Sequence, residues 1–328
     1  MNRRDFLLKS GAAASLTLFA TGSLSAQTPP TPATPPTPAT PPTPATPPAP
    51  PVTEFKALRR NVGFFTGQGG SIGWLANKDV LVAVDTQFPA TANIFLRDMP
   101  ERGGRTLDAV INTHHHGDHT GGNGVFRPAT RTIVAHANVP ELMRAAAARS
   151  QRPPSEADLT AMLPDATFPE AWKKDFGDET ISCRYFGAAH TKGDIVTHFE
   201  QANVIHLGDL LFNRMYPVID RPGGANVRHW AEVLEKIAAT YPKDAIYVSG
   251  HGLAKFGVQL VTADLFVFRD YLSALVAHVE KEIKAGKTKE EIAKLENFPG
   301  FPDFHVPPGR GNRLGSNLSV VYDELTSA

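Results

Sequence analysis

Cysteine is almost missing from this 328-residue chain: Cys183 stands alone, so no intrachain disulfide can form and no multi-cysteine zinc or iron–sulfur site can be built. Excess charge is missing too. Lysine plus arginine number 33 and aspartate plus glutamate number 33, which leaves no net field to attract polyphosphate and excludes nucleic acid as an expected partner. No G-x-G-x-x-G or G-x-x-x-x-G-K-[ST] follows a strand-like run, so dinucleotide and P-loop nucleotide sites have no support. No apolar run reaches the ~20 residues of a spanning helix, which predicts a chain with no stable membrane anchor. The hydrophobic fraction of 41% is ample for a core, and disorder of the whole chain is thereby excluded.

What is present is unevenly distributed. Residues 1–26 carry Arg3-Arg4 ahead of Asp5-Phe6-Leu7, then Lys9, a short Gly- and Ser-rich apolar stretch, and small residues near Ser25-Ala26. This resembles a twin-arginine export signal, an address read by a receptor. It implies the twin-arginine translocation machinery as a transient partner and a soluble, periplasmic bacterial product. Residues 27–54 follow as a Pro/Thr/Ala-rich linker in which TPPTPA occurs three times, and 13 of the 28 prolines fall between Gln27 and Pro51. Such composition favours extended polyproline II and serves as a spacer. Residues 55–328 then have a length that suits a single α/β domain.

Within that domain, strands are expected at 61–66, 71–76, 79–85, 107–112, 132–135, 180–186, 195–200, 203–207 and 245–249. Helices are expected at 88–97, 140–150, 227–239, 260–284 and 290–295, with 151–175 ambiguous. Strands come early in succession and later alternate with helices, which suggests two sheets with helices outside them.

Four histidines fall within six positions in Thr113-His114-His115-His116-Gly117-Asp118-His119. Residues two apart in an extended segment face the same way, so His114 and His116 point together and His115 points opposite. Gly117 lets the chain turn, bringing Asp118 and His119 round to the same pocket. Imidazole nitrogen and carboxylate oxygen suit a borderline cation such as zinc, and a catalytic site keeps a position open for water. Downstream, Ala189-His190-Thr191, His206-Leu207-Gly208-Asp209 and Ser249-Gly250-His251 each place a further donor at the end of an expected strand, beside a glycine or small residue.

Taken in order, HHHGDH, AHTKGD, HLGDLLF and SGHG resemble the metallo-β-lactamase-fold superfamily over nearly all of residues 55–328. The resemblance implies an α/β fold, the four-layered αββα sandwich. It implies one metal at His114, His116 and His190 and a second at Asp118, His119 and His251, with Asp209 and a hydroxide bridging them. Both would be divalent ions, zinc in the first instance, with iron or manganese left open. Asp118 would also be catalytic, orienting the nucleophile. Asp85, at the end of the DVLVAVD run, would orient a ligand or its loop. A bridging Asp209 is similar to the glyoxalase II, lactonase and phosphodiesterase branches, where the thiolate β-lactamases place cysteine. The implied activity is hydrolysis of a small-molecule ester, lactone, thioester or β-lactam. A mononuclear-iron persulfide dioxygenase of the same fold is the alternative. Arg214, Tyr216 and Arg221, following Asp209, are candidates for holding a substrate anion. Cys183 is expected as a small buried apolar residue. His206 is expected as a packed one, and His136, His198, His229, His278 and His305 as structural or solvated.

Overall fold

The computed structural model describes residues 51–306 and 311–327; the signal and most of the linker expected at 1–54 lie outside the described residues. The first sheet holds seven strands in the order β1(Glu54–Arg59), β2(Val62–Thr66), β3(Ile72–Ala76), β4(Leu81–Val84), β5(Ala109–Ile111), β6(Ile133–His136) and β7(Ala166–Phe168). It is antiparallel from β1 to β4 and parallel from β4 to β7. The second holds six strands: β8(Ala171–Asp175), β9(Thr180–Tyr185), β10(Ile195–Phe199), β11(Val204–Asn213), β12(Ile246–Gly252) and β13(Gln259–Leu260). Only the β11–β12 pair in it is parallel.

The helices are α1(Pro89–Asp98), α2(Gly117–Thr120), α3(Asn123–Phe126), α4(Val139–Arg149), α5(Glu156–Met162), α6(Val227–Thr240), α7(Thr262–Lys284), α8(Lys289–Ile292) and α9(Arg313–Thr326). Local chemistry fixes several starts. Proline opens α1, where its missing N–H costs nothing. The Asn226 side chain accepts from the His229 N–H at 3.0 Å to cap α6.

Side-chain alternation sorts the layers. On β4, Val82 and Val84 face inward with Phe64, Leu75, Ile181 and Val204, which forms the core between the sheets. Leu81 and Ala83 face outward against Phe95 and Leu96 of α1. The outer face of the second sheet packs Ile205, Leu207 and Phe212 against Trp230, Phe268 and Leu318 of α6, α7 and α9. Each fully buried Val, Leu, Ile or Phe contributes about 1.5–3 kcal/mol. The result is helices, sheet, sheet, helices, the expected αββα order.

Two elements differ from the sequence expectation in ways that matter. The strand expected to stop at Leu207 runs on to Asn213 as β11, so Asp209 lies inside a strand. It remains able to face the site because Gly208 adopts φ +50° and the register with β12 shifts on either side of it. A Cβ at Gly208 would press into the Thr113 side chain. The second difference is α9, a 14-residue helix that the sequence pattern did not announce.

Candidate metal centre

The β5 strand ends at Ile111 and the chain bends at Thr113–His115, with His116 extended before α2. His115 therefore does not point opposite to His116 as expected: both rings face Asp220 Oδ2, at 3.4 and 2.9 Å. Two backbone hydrogen bonds pin this loop to the end of β4: Asp85 N–H to Ile111 O and Thr86 N–H to His119 O, both 2.8 Å. Asp85 itself is fully buried. Its carboxylate accepts from Thr113 N–H at 2.8 Å, Thr113 Oγ1 at 2.7 Å and His119 Nδ1 at 2.7 Å. His190 sits between β9 and β10 in a loop shaped by Asp194, which accepts from the Thr191 N–H at 2.7 Å and hydroxyl at 2.6 Å. His251 is near the end of β12, its ring stacked on Phe212 at 5.3 Å.

The seven side chains that the sequence singled out as ligands converge. Ligand atoms of His114, His116, His190 and Asp209 lie within 4.8 Å of one another, and those of Asp118, His119 and His251 form a second such group. Asp209 stands between them. Its Oδ2 is 3.9 Å from His114 Nε2 and 3.5 Å from His190 Nε2, while its Oδ1 is 3.0 Å from His119 Nε2 and 3.4 Å from His251 Nε2. Asp118 Oδ2 is 3.1 Å from His251 Nε2. Gly250 must be glycine: a Cβ there would overlap Asp209 Oδ1.

In His114, His119 and His190 the outer nitrogen already has a partner, which leaves the inner one as a donor to a cation. His119 gives Nδ1 to Asp85, His190 gives Nδ1 to Val218 O at 2.9 Å, and His114 Nδ1 lies 3.0 Å from the Thr113 hydroxyl. At the centre, His114 Nε2 is buried with no hydrogen-bond partner, the state expected of an atom that awaits a metal.

Electrostatics point the same way. Burial, reinforced by neighbouring imidazoles, holds His114 well below the ordinary histidine range and His190 at about 3, so both are neutral and ligand-competent. Burial opposes charge on His251, yet Asp209 and Asp118 lift it to about 9; Asp209 and Asp85 likewise raise His119. Asp209 stays well below the carboxylate range because His251 and His119 outweigh its burial. Carboxylates that draw protons onto two adjacent imidazoles make a site where a cation would displace those protons.

Residues expected near substrate separate. Tyr216 lines the cavity beside the centre, and its hydroxyl accepts from the Phe298 N–H at 3.1 Å. Arg214 is turned to Asp264 at 3.1 Å, and Arg221 pairs with Glu324 at 3.4 Å; neither lines the cavity, because each has a carboxylate partner on a helix behind the loop. Arg313, at the start of α9, does line it. His206 is packed against Ser71, as expected of it, and Cys183 is a buried thiol inside β9, pushed up to about 12 by burial. Sequence reading missed Asp194, although it lies inside the AHTKGD motif, and Asp220, whose Oδ2 is 2.9 Å from His116 Nε2.

An αββα sandwich whose loops gather five imidazoles and two carboxylates around a buried focus defines a metal-binding protein of the hydrolase type. The sequence profile described as "Metallo-beta-lactamase superfamily" matches residues 58–251, and the chain belongs to that superfamily. It is 33% identical over 125 residues to a hydroxyacylglutathione hydrolase of Methylococcus capsulatus, covering 38% of this chain and 41% of that one. It is 26% identical over 209 residues to a metallo-beta-lactamase type 2 of Bacillus cereus, covering 62% and 76%. Among solved structures, a metallo-beta-lactamase from Pontibacter korlensis superposes with TM-score 0.54 at 18% identity, covering 68% of this chain and 99% of that one. The sec-alkylsulfatase Pisa1 from Pseudomonas sp. gives TM-score 0.62 at 15% identity, covering 84% and 50%. These last two likenesses are of fold.

Proposed function

We propose that this chain is an exported hydrolase holding two divalent ions, zinc in the first instance, and cleaving a carbonyl-centred bond: an ester, lactone, thioester or β-lactam. The observation that carries it is the division of Asp209, one carboxylate oxygen facing each group of ligand atoms. His114, His116 and His190 would hold one ion, and Asp118, His119 and His251 the other. Ions held there would lower the pKa of water from ~15.7 to about 7 and polarise a substrate oxygen. A single iron would leave Asp118, His119 and His251 without an ion, which disfavours the dioxygenase reading. The Arg3-Arg4 segment supports export to the periplasm through the twin-arginine machinery.

The chain's own residues supply orientation and exclusion. Asp118 is the half-open member of the centre, its side chain 29% exposed and lining the cavity, so its carboxylate can accept a hydrogen bond from the attacking water. The cavity is about 820 Å³ and is walled by Phe88, Phe212, Met215, Val218 and Val306. That volume lies within the ~300–1,000 Å³ usual for small molecules. These walls suit a substrate with an apolar body. The two curated relatives, named as hydrolases of a thioester and of β-lactams, support a carbonyl substrate.

Turnover on a panel of β-lactams, lactones, thioesters and phosphodiesters tests the class. On whichever substrate responds, Asp118→Ala is expected to lower kcat/KM by ~10²–10⁴-fold, the range for losing a group that handles the attacking water's proton. The melting temperature of the metal-free protein should stay near that of the parent, since Asp118 sits at the cavity wall. Parental turnover in that variant would remove Asp118 from the mechanism.

A further inference from the structure

Asp220 follows β11 in the segment Ile219–Gly224, 104 residues from His116 in sequence. The segment is built to hold the carboxylate. Ala225 N–H donates to Asp220 O at 2.9 Å, and Gly223 N–H donates to Asp220 Oδ1 at 3.0 Å. Lys192, two residues after His190, ties its own N–H to Gly223 O at 2.8 Å. Asp220 Oδ2 is thereby left to face two imidazoles, His116 Nε2 at 2.9 Å and His115 Nε2 at 3.4 Å. The Asp220 side chain is only 14% exposed.

An ionised carboxylate accepts and cannot donate, so the proton of that contact belongs to His116 Nε2. This leaves Nδ1 as the lone-pair nitrogen, and Nδ1 is the atom that lies 3.0 Å from His190 Nε2 inside the first ligand group. His114, His190 and His119 turn Nε2 toward the centre; His116 turns Nδ1. That opposite tautomer needs its own acceptor on the far side of the ring, and Asp220 is it. We propose that Asp220 is a positioning residue of the metal centre, fixing the tautomer and ring plane of His116 so that Nδ1 enters the first ligand group, with His115 held alongside on the same oxygen. This rests on the reading that His114, His116 and His190 hold an ion.

The full-length protein is stripped with chelator, and Zn²⁺ or Co²⁺ alone is titrated against a chromogenic competitor, with the Co²⁺ absorption spectrum recorded. Asp220→Asn and Asp220→Ala should weaken one of the two ions by ~10–100-fold, the cost typical of losing such an outer partner, and leave the other unchanged. The Co²⁺ bands of the weakened site should shift. Asp220→Glu should recover part of the loss, and Asp220→Asn guards against a folding defect because it keeps the shape and the Gly223 bond. Two ions bound with parental affinity in both variants would overturn the role. So would a third equivalent in the parent that vanishes in Asp220→Ala, since His115, His116 and Asp220 would then be ligands themselves. A parent that binds no ion would instead overturn the metal reading underneath.

Discussion

Replacing Asp209 by alanine should reduce kcat/KM by about a thousandfold or more, equivalent to ~4 kcal/mol of barrier, and leave at most one ion per chain. The reason is that a single buried carboxylate serves both halves of the centre. With Oδ1 at 3.0 Å from His119 and Oδ2 at 3.5 Å from His190, no other side chain among the described residues touches both groups in that way. Removing it takes away one of two carboxylates from each imidazole, since His119 keeps Asp85 at 2.7 Å and His251 keeps Asp118 at 3.1 Å. Asp209→Asn keeps the volume and loses the charge, so metal affinity should fall nearly as far without the cavity that alanine leaves. Chelator titration and thermal melts of both variants, run side by side, make the comparison. Parental activity with Asn at this position would contradict a bridging role.

Asp85→Ala should act through stability first. Asp85 is fully buried and accepts three hydrogen bonds, two from Thr113 and one from His119 Nδ1. Alanine would orphan the Thr113 N–H, at about 1–3 kcal/mol for one unsatisfied buried donor. It would also occupy a backbone position at φ +68°, where alanine costs ~1–2 kcal/mol. A total loss of ~2–5 kcal/mol corresponds to about 4–15 °C in melting temperature for a domain of this size. The functional consequence follows from the same bonds: Thr113 and His119 lose their anchor, so the loop that carries the HHHGDH run is free to splay. Asp85→Asn retains an acceptor for Thr113 and should cost less. A melting temperature within ~2 °C of the parent for Asp85→Ala would show that the β4 end does not hold this loop.

How much of this was legible in the sequence depends on how far apart the partners are. His114, His116, Asp118 and His119 lie within six positions of one another, so strand and turn geometry alone brings them together. His190, Asp209 and His251 were legible because each stands in a short Gly- or Ala-marked run at the end of a strand-like segment. Asp220 was not, because its meaning lies wholly in a contact 104 residues away. Arg214 and Arg221 were misplaced for the converse reason: their proximity to Asp209 in sequence says nothing of Asp264 and Glu324, which take their charges. In the fold, β2 to β6 of the first sheet were plain, whereas β1 was not expected and β7 fell in the ambiguous 151–175. The extension of β11 past Leu207 was hidden by Gly208, a residue that reads as a strand end and acts as a kink within one. The α9 helix carries Gly315 and three serine or threonine residues among its 14, which dilutes its apolar period.

The most direct measurement is the metal content of the full-length protein, purified without an affinity tag and analysed by inductively coupled plasma mass spectrometry against chain concentration. Two equivalents of divalent metal per chain, lost on chelation together with hydrolysis and restored with it by zinc, are the expected result. A single iron with no second ion, or a chain that stays metal-free in excess zinc, would contradict the two-ion centre divided by Asp209.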